Sequence, residues 1–237
     1  MKRTQIYISL AIVFSGALSL WAVLEPTHTA AAIDTIDQSW TDDFSSPTLD
    51  SRWSWMNEDP THWSLTAKPG YLRITTQSGS LFSGIYNNLL VTDAPFGSYQ
   101  ITSRVSITPT ENFQGASIVV YGDNENYCRI ARRFAGTGGQ VNLRCYEGGS
   151  MVDDIGVDEP ATSVYLRLTR VGDTYEGYYS PDGNSYQYVG QVSATIPNPM
   201  VGIVSENGPS TTEIQSDYDS FQLEDQTQRI FLPLVAR

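Results

Sequence analysis

Apolar and polar residues alternate at every second position in run after run of this chain, and no segment beyond Leu24 keeps apolar side chains at the helical i, i+3, i+4, i+7 spacing. That pattern fits strands with one buried face and excludes a helical bundle. Tyr99, Ile101, Val105 and Ile107 alternate with Gln100, Thr102, Arg104, Ser106 and Thr108. Val164, Leu166 and Leu168 alternate with Tyr165, Arg167 and Thr169 in the same way. The runs are separated by Lys68-Pro69-Gly70, Gly172-Asp173, Pro181-Asp182-Gly183 and Asn207-Gly208-Pro209, where Gly and Asn supply positive φ and Pro presets the bend. About a dozen strands follow, and no composition shift marks an internal boundary. Roughly 200 residues suit one undivided β domain. The expected fold class is all-β, a two-sheet antiparallel jelly-roll sandwich.

The two cysteines are placed by spacing. Asn126 to Phe134 and Gln140 to Glu147 read as a hairpin around Ala135-Gly136-Thr137-Gly138-Gly139. A symmetric hairpin sets Cys128 opposite Cys145, Ile130 opposite Leu143 and Arg132 opposite Val141, which groups Cys128, Ile130, Val141, Leu143 and Cys145 on one face. The cysteines are then either a disulfide or two reduced core residues. The other face carries Tyr127, Arg129, Arg133, Asn142, Arg144 and Tyr146. Aromatic plates beside planar donors suit a sugar ligand. The same arginines could instead pair with the chain's many carboxylates and shield the sheet.

Charge narrows the partners. The chain holds 14 Lys plus Arg against 26 Asp plus Glu, a net charge of −12. Such a surface repels phosphate backbones and anionic lipid, so nucleic acid and membrane surfaces are not expected partners. With 2 His and 2 Cys, the chain lacks the ligands for a His cluster or a Cys/His zinc module.

Met1-Lys2-Arg3, the uncharged apolar stretch Ile6 to Leu24 and the small residues Thr29-Ala30-Ala31-Ala32 read as a signal peptide over residues 1–32, and an uncleaved anchor is the alternative. A secreted or extracellular-surface location follows. Residues 33–225 form the expected sandwich domain. Residues 226–237 form a short C-terminal apolar tail, too short to span a bilayer, read either as a docked arm or as an element of cell-surface association.

Trp53-Ser54-Trp55-Met56-Asn57-Glu58-Asp59, Trp63-Ser64-Leu65 and Pro69-Gly70-Tyr71-Leu72-Arg73-Ile74 open a series of motifs. Asn88-Leu89-Leu90 with Ala94-Pro95 follows, then Phe113-Gln114-Gly115-Ala116-Ser117-Ile118-Val119-Val120-Tyr121, Asn126-Tyr127, Tyr165-Leu166-Arg167-Leu168-Thr169-Arg170, and Tyr178-Tyr179-Ser180 with Asp182-Gly183. Over most of residues 40–224 this series resembles the C-terminal concanavalin A-like domain of bacterial β-xylosidases and its free-standing relatives. The resemblance implies a two-sheet jelly roll and a saccharide contact on its concave sheet. In that family the hydrolytic carboxylates belong to a preceding β-propeller, for which this chain has no room, so no catalytic residue carries over. Gln114 stands where the family often has Gln before Ala-Gly, but here the order is Gly115-Ala116.

Other chemistry finds little support. Glycoside hydrolysis needs two suitably spaced carboxylates, one with a raised pKa. The Glu-x-Asp-x-Glu strand of related jelly-roll glucanases is missing, and the nearest run, with Glu213, Asp217 and Asp219, has the wrong spacing. A serine triad would have to use His62, and no Gly-x-Ser-x-Gly elbow accompanies it. Gly136-Thr137-Gly138-Gly139 lacks the Lys and helix start of a phosphate loop. Related jelly rolls tie their first and last strands through structural Ca²⁺, for which Asp43 and Asp219 occupy the corresponding ends, although a turn-shaping Asp is the plainer account. The expected function is a secreted, non-catalytic module that binds a neutral or weakly charged polysaccharide through Trp55, Tyr127, Arg129, Arg144 and Tyr146. A glycoside hydrolase and a structural cell-surface protein are the alternatives.

Overall fold

The computed structural model describes residues 37–227. The expected signal segment 1–32 and residues 228–237 of the tail lie outside them. Among the described residues there is no α-helix, and so none long and apolar enough to cross a membrane. The strands are β1 (Trp40–Asp42), β2 (Ser54–Met56), β3 (Trp63–Ser64), β4 (Leu72–Thr75), β5 (Leu89–Asp93), β6 (Tyr99–Ile107), β7 (Gly115–Asp123) and β8 (Asn126–Ala135). They continue with β9 (Gly138–Glu147), β10 (Ser150–Asp158), β11 (Ser163–Val171), β12 (Thr174–Ser180), β13 (Gln187–Ser193), β14 (Met200–Glu206) and β15 (Gln215–Asp225).

They form two antiparallel sheets. The 8-stranded sheet runs β13-β12-β11-β6-β15-β4-β3, with β1 also on β15. The 7-stranded sheet runs β10-β9-β8-β7-β14-β5-β2. One edge of β15 is taken by β6, and the other is shared by β4 at Gln215–Tyr218 and β1 at Phe221–Leu223. Between the sheets lies one apolar core, in which Ile101, Val105, Leu166 and Leu168 from one sheet meet Ile118, Val120, Ile130 and Leu143 from the other. The sheets approach so closely at Gly177 that a β-carbon there would sit 3.1 Å from Ile130 Cδ1 and 3.2 Å from Leu143 Cβ.

Strand β6 is buried at every second residue, as its alternation predicts. Strands β7 and β8 differ: both bury seven residues in succession. Their outward face is covered as well, because the connection over residues 76–88, between β4 and β5, lays Leu81 and Tyr86 against Val91, Val119 and Val204. A strand with cover on both sides has no reason to alternate.

The hairpin has the predicted register, with Cys128 opposite Cys145, Ile130 opposite Leu143 and Arg132 opposite Val141. Its turn is tighter than expected. Ala135 pairs with Gly138, leaving Gly136 and Thr137 as the turn, and Gly136 takes φ 64°. Gly139 joins the strand because it has no side chain: a β-carbon there would lie 2.2 Å from the Arg132 guanidinium. Cys128 and Cys145 form a disulfide, fully buried in the core between the sheets.

Candidate binding face on the seven-stranded sheet

The register of β10, β9, β8, β7 and β14 arranges the outward-facing residues in transverse rows. One row is Asp158, Gln140, Arg133, Gly115 and Glu206. The next holds small residues, Gly156, Asn142, Ala131 and Ser117, followed by Val204. A third is Asp154, Arg144, Arg129, Val119 and Gly202, and a fourth contains Tyr146, Tyr127, Tyr121 and Met200. Small side chains in the second row leave room for the flanking arginines to lie down across the sheet. Arg129 donates to Ser117 Oγ at 3.1 Å and forms an ion pair with Glu206, which is 2% exposed. Arg144 pairs with Asp154, whose other oxygen takes Asn142 Nδ2 at 2.5 Å.

The electrostatics follow from burial. Desolvation pushes the Asp154 carboxyl up, but hydrogen bonds from Arg144 and Asn142 outweigh it and hold the group below its ordinary value. Burial lowers the Arg144 pKa, but the hydrogen bond and the charge of Asp154, with the neighbouring Tyr146 and Tyr127, together outweigh it and leave the group raised. Arg133 is the exception. It is 6% exposed and forms no ion pair among the described residues. Burial, reinforced by Arg129 and Arg144, lowers its pKa to about 10. Its guanidinium lies 5.6 Å from the centroid of the Phe113 ring, and Phe113 takes φ 75°, a left-handed conformation rare for an aromatic residue. Arg129 Nε, Arg144 Nε and Asn142 Oδ1 are buried without a hydrogen-bond partner.

Four of the five expected contacts, Tyr127, Arg129, Arg144 and Tyr146, come together on this face. Their rings and guanidiniums are not open plates, however. Tyr127 is 1% exposed and Tyr146 4%. The two rings stack at 4.9 Å, and Phe82, from the 76–88 connection, rests 5.4 Å from Tyr146. Trp55 stands elsewhere. It pairs with Leu90, packs against the core between the sheets and lies 5.0 Å from the Trp63 ring. Sequence reasoning did not single out Glu206, Asp154 or Ser117 as partners. Glu206 was visible in principle, since it shares the parity of Met200, Gly202 and Val204 on β14. Gln114 serves its own loop, accepting from the backbone of Thr110 and Glu111 and donating to Thr212 O.

The remaining candidates are engaged. His62 lies 2.8 Å from Asp59 and 3.2 Å from Glu213. Hydrogen bonds from Thr61 lower the Asp59 pKa to about 2. Asp217 takes Arg73 at 2.7 Å and Lys68 at 3.0 Å, and Asp219 takes Arg104 at 3.1 Å. The first strand pairs with the last, β1 with β15, as far as Asp42 opposite Phe221. Asp43 nonetheless accepts from Ser45 N in its own turn, and no three His, Cys, Asp or Glu gather as metal ligands among the described residues. A pair already committed to a turn and an arginine does not fit calcium without rearrangement.

Comparison with known proteins agrees with this architecture. The family model described as the β-xylosidase C-terminal concanavalin A-like domain matches residues 41–228. A β-xylosidase of Formosa agariphila is 60% identical over 35 residues, which is 14% of this chain and 6% of that protein. Among solved structures, the GH43 protein BlXynB of Bacillus licheniformis superposes with a TM-score of 0.73 at 24% identity, covering 78% of this chain and 39% of that one. A laminarinase from Flavobacterium sp. UMI-01 superposes at 0.58 with 12% identity, covering 78% and 99%. At such identities the likeness is one of fold, and the chain spans about two fifths of the BlXynB protein. With its two sheets, their order and the matched span, the chain belongs to the family of β-xylosidase C-terminal concanavalin A-like domains.

Proposed function

We propose that this protein is a secreted, non-catalytic carbohydrate-binding sandwich that recognises a polysaccharide on the outward face of its seven-stranded sheet. The observation that carries the reading is the cluster of Arg129, Arg133, Arg144 and Asn142, whose planar donors and unpartnered polar atoms share one face with stacked tyrosines. Planar donors beside aromatic carbon suit hydroxyl-bearing rings. Membership of a β-xylosidase-associated family supports a sugar as the partner.

Hydrolysis is the weaker reading. A general acid needs a raised pKa, whereas every described carboxylate with a displaced pKa is displaced downward.

The test is a polysaccharide pull-down with the purified protein, with and without Ca²⁺, followed by a reducing-sugar assay on each binder. Retention without product release is the expected result, and release of product would favour the hydrolase. Calcium tying Asp43 to Asp219 would have to displace Arg104, so a calcium-dependent rise in melting temperature that vanishes in Asp219→Asn would establish that ion. Failure of folded protein to bind any glycan would overturn the reading.

A further inference from the structure

On the face just described, Arg129 pairs with Glu206 and Arg144 with Asp154, while Asp158 accepts from Gln140 Nε2 at 3.1 Å. Arg133 is the guanidinium of this face that forms no ion pair among the described residues. Its only side-chain hydrogen bond among the described residues is a long one, 3.5 Å from Nε to Phe134 O, and it is nevertheless almost wholly buried. A buried cation without a counterion is costly unless an anion arrives. On a chain of net charge −12, with many surface carboxylates available, this arginine pairs with none among the described residues.

We infer that this face binds an acidic saccharide, with a sugar carboxylate as the missing partner of Arg133. The inference rests on the carbohydrate reading above and names its ligand class. A guanidinium presents a planar fork that matches a carboxylate with two parallel hydrogen bonds. The acidic surroundings disfavour a densely charged polyanion. The ligand is therefore a mostly neutral chain carrying an occasional uronic acid.

The experiment is calorimetric titration of the full protein with two probes, a xylo-oligosaccharide bearing one glucuronate and the same oligosaccharide with its carboxyl reduced to the alcohol. The acidic probe is expected to bind at least about tenfold tighter, the effect of one charge-assisted contact. Arg133→Gln should erase that preference, and Arg133→Lys, which keeps the charge and loses the fork, should keep part of it. Equal binding of both probes would overturn the acidic ligand and leave carbohydrate binding standing. A preference that survives intact in Arg133→Gln would overturn the assignment of Arg133. Binding of neither probe, nor of any polysaccharide in the pull-down, by protein with its native melting transition would overturn both readings. Should Arg133→Gln fail to fold, Arg133→Lys and the wild-type comparison of the two probes still decide the question.

Discussion

Cys128 and Cys145 stand directly opposite each other on β8 and β9, and their disulfide locks the register that sets Arg129 opposite Arg144 on the other face. A single cross-strand bond on the core side of the hairpin thus fixes the geometry of an arginine pair on the outside.

The bond closes a loop with a sequence separation of 17. Replacing both cysteines by alanine is expected to cost about 3 kcal/mol in the chain-entropy account. Denaturant unfolding of the double variant, beside reduced wild type, measures it. A loss well under 1 kcal/mol would mean that the hairpin holds its register without the bond.

Glu206 neutralises buried Arg129 and also accepts Leu81 N at 2.7 Å. Glu206→Gln leaves Arg129 without its carboxylate, and breaking one side of a buried pair costs about 3–5 kcal/mol. Adding Arg129→Met should recover much of that loss. Thermal melts of the single and double variants check the coupling, and simple additivity of the two effects would refute it.

Asp217 predicts an acid limb of stability. Burial raises this carboxyl, but hydrogen bonds from Arg73 and Lys68 outweigh it, so its folded pKa lies below the ordinary value. Such a group contributes stability that is complete above its unfolded pKa near ~3.9 and is lost as pH falls through the folded value. Melting temperatures should fall steeply below about pH 4. Asp217→Asn should lower stability at neutral pH and flatten that fall. A variant whose acid slope matches wild type would exclude Asp217 as its source.

Trp55 packs toward the core rather than among the arginines. Trp55→Ala is expected to cost up to about 3 kcal/mol of stability as contacts with the core are lost. Saccharide affinity should stay within about twofold of wild type, because the residue is remote from the ligand. Titration and melting of the same preparation separate the two effects. Lost affinity in a variant that melts normally would return Trp55 to the binding face.

The hairpin was legible because its signals agree: alternation on both arms, a Gly-rich centre and cysteines equidistant from it. The sandwich was legible for the same reason in β6 and β11. Burial on both sides of β7 and β8 was not, because the cover comes from residues 76–88, a stretch without alternation whose position depends on Leu81 and Tyr86 finding Val91, Val119 and Val204 across the sheet. Tyr127 and Tyr146 were therefore read as stacking plates when Phe82 already occupies one of them. The arginines expose the limit of pattern reading most clearly. Parity placed Arg129, Arg133 and Arg144 together, but which of them has a carboxylate depends on Glu206, more than 60 residues further along the chain, and on Asp154 across the next hairpin.

Strand β15 sits in the middle of the larger sheet, between β6 and the shared edge of β4 and β1. During synthesis, the seat it fills stays empty until nearly all of the domain has left the ribosome, leaving the facing edges of β6 and β4 open to any other strand nearby. A frameshift or proteolytic cut just before Gln215 would accordingly remove the sheet's centre rather than trim its border.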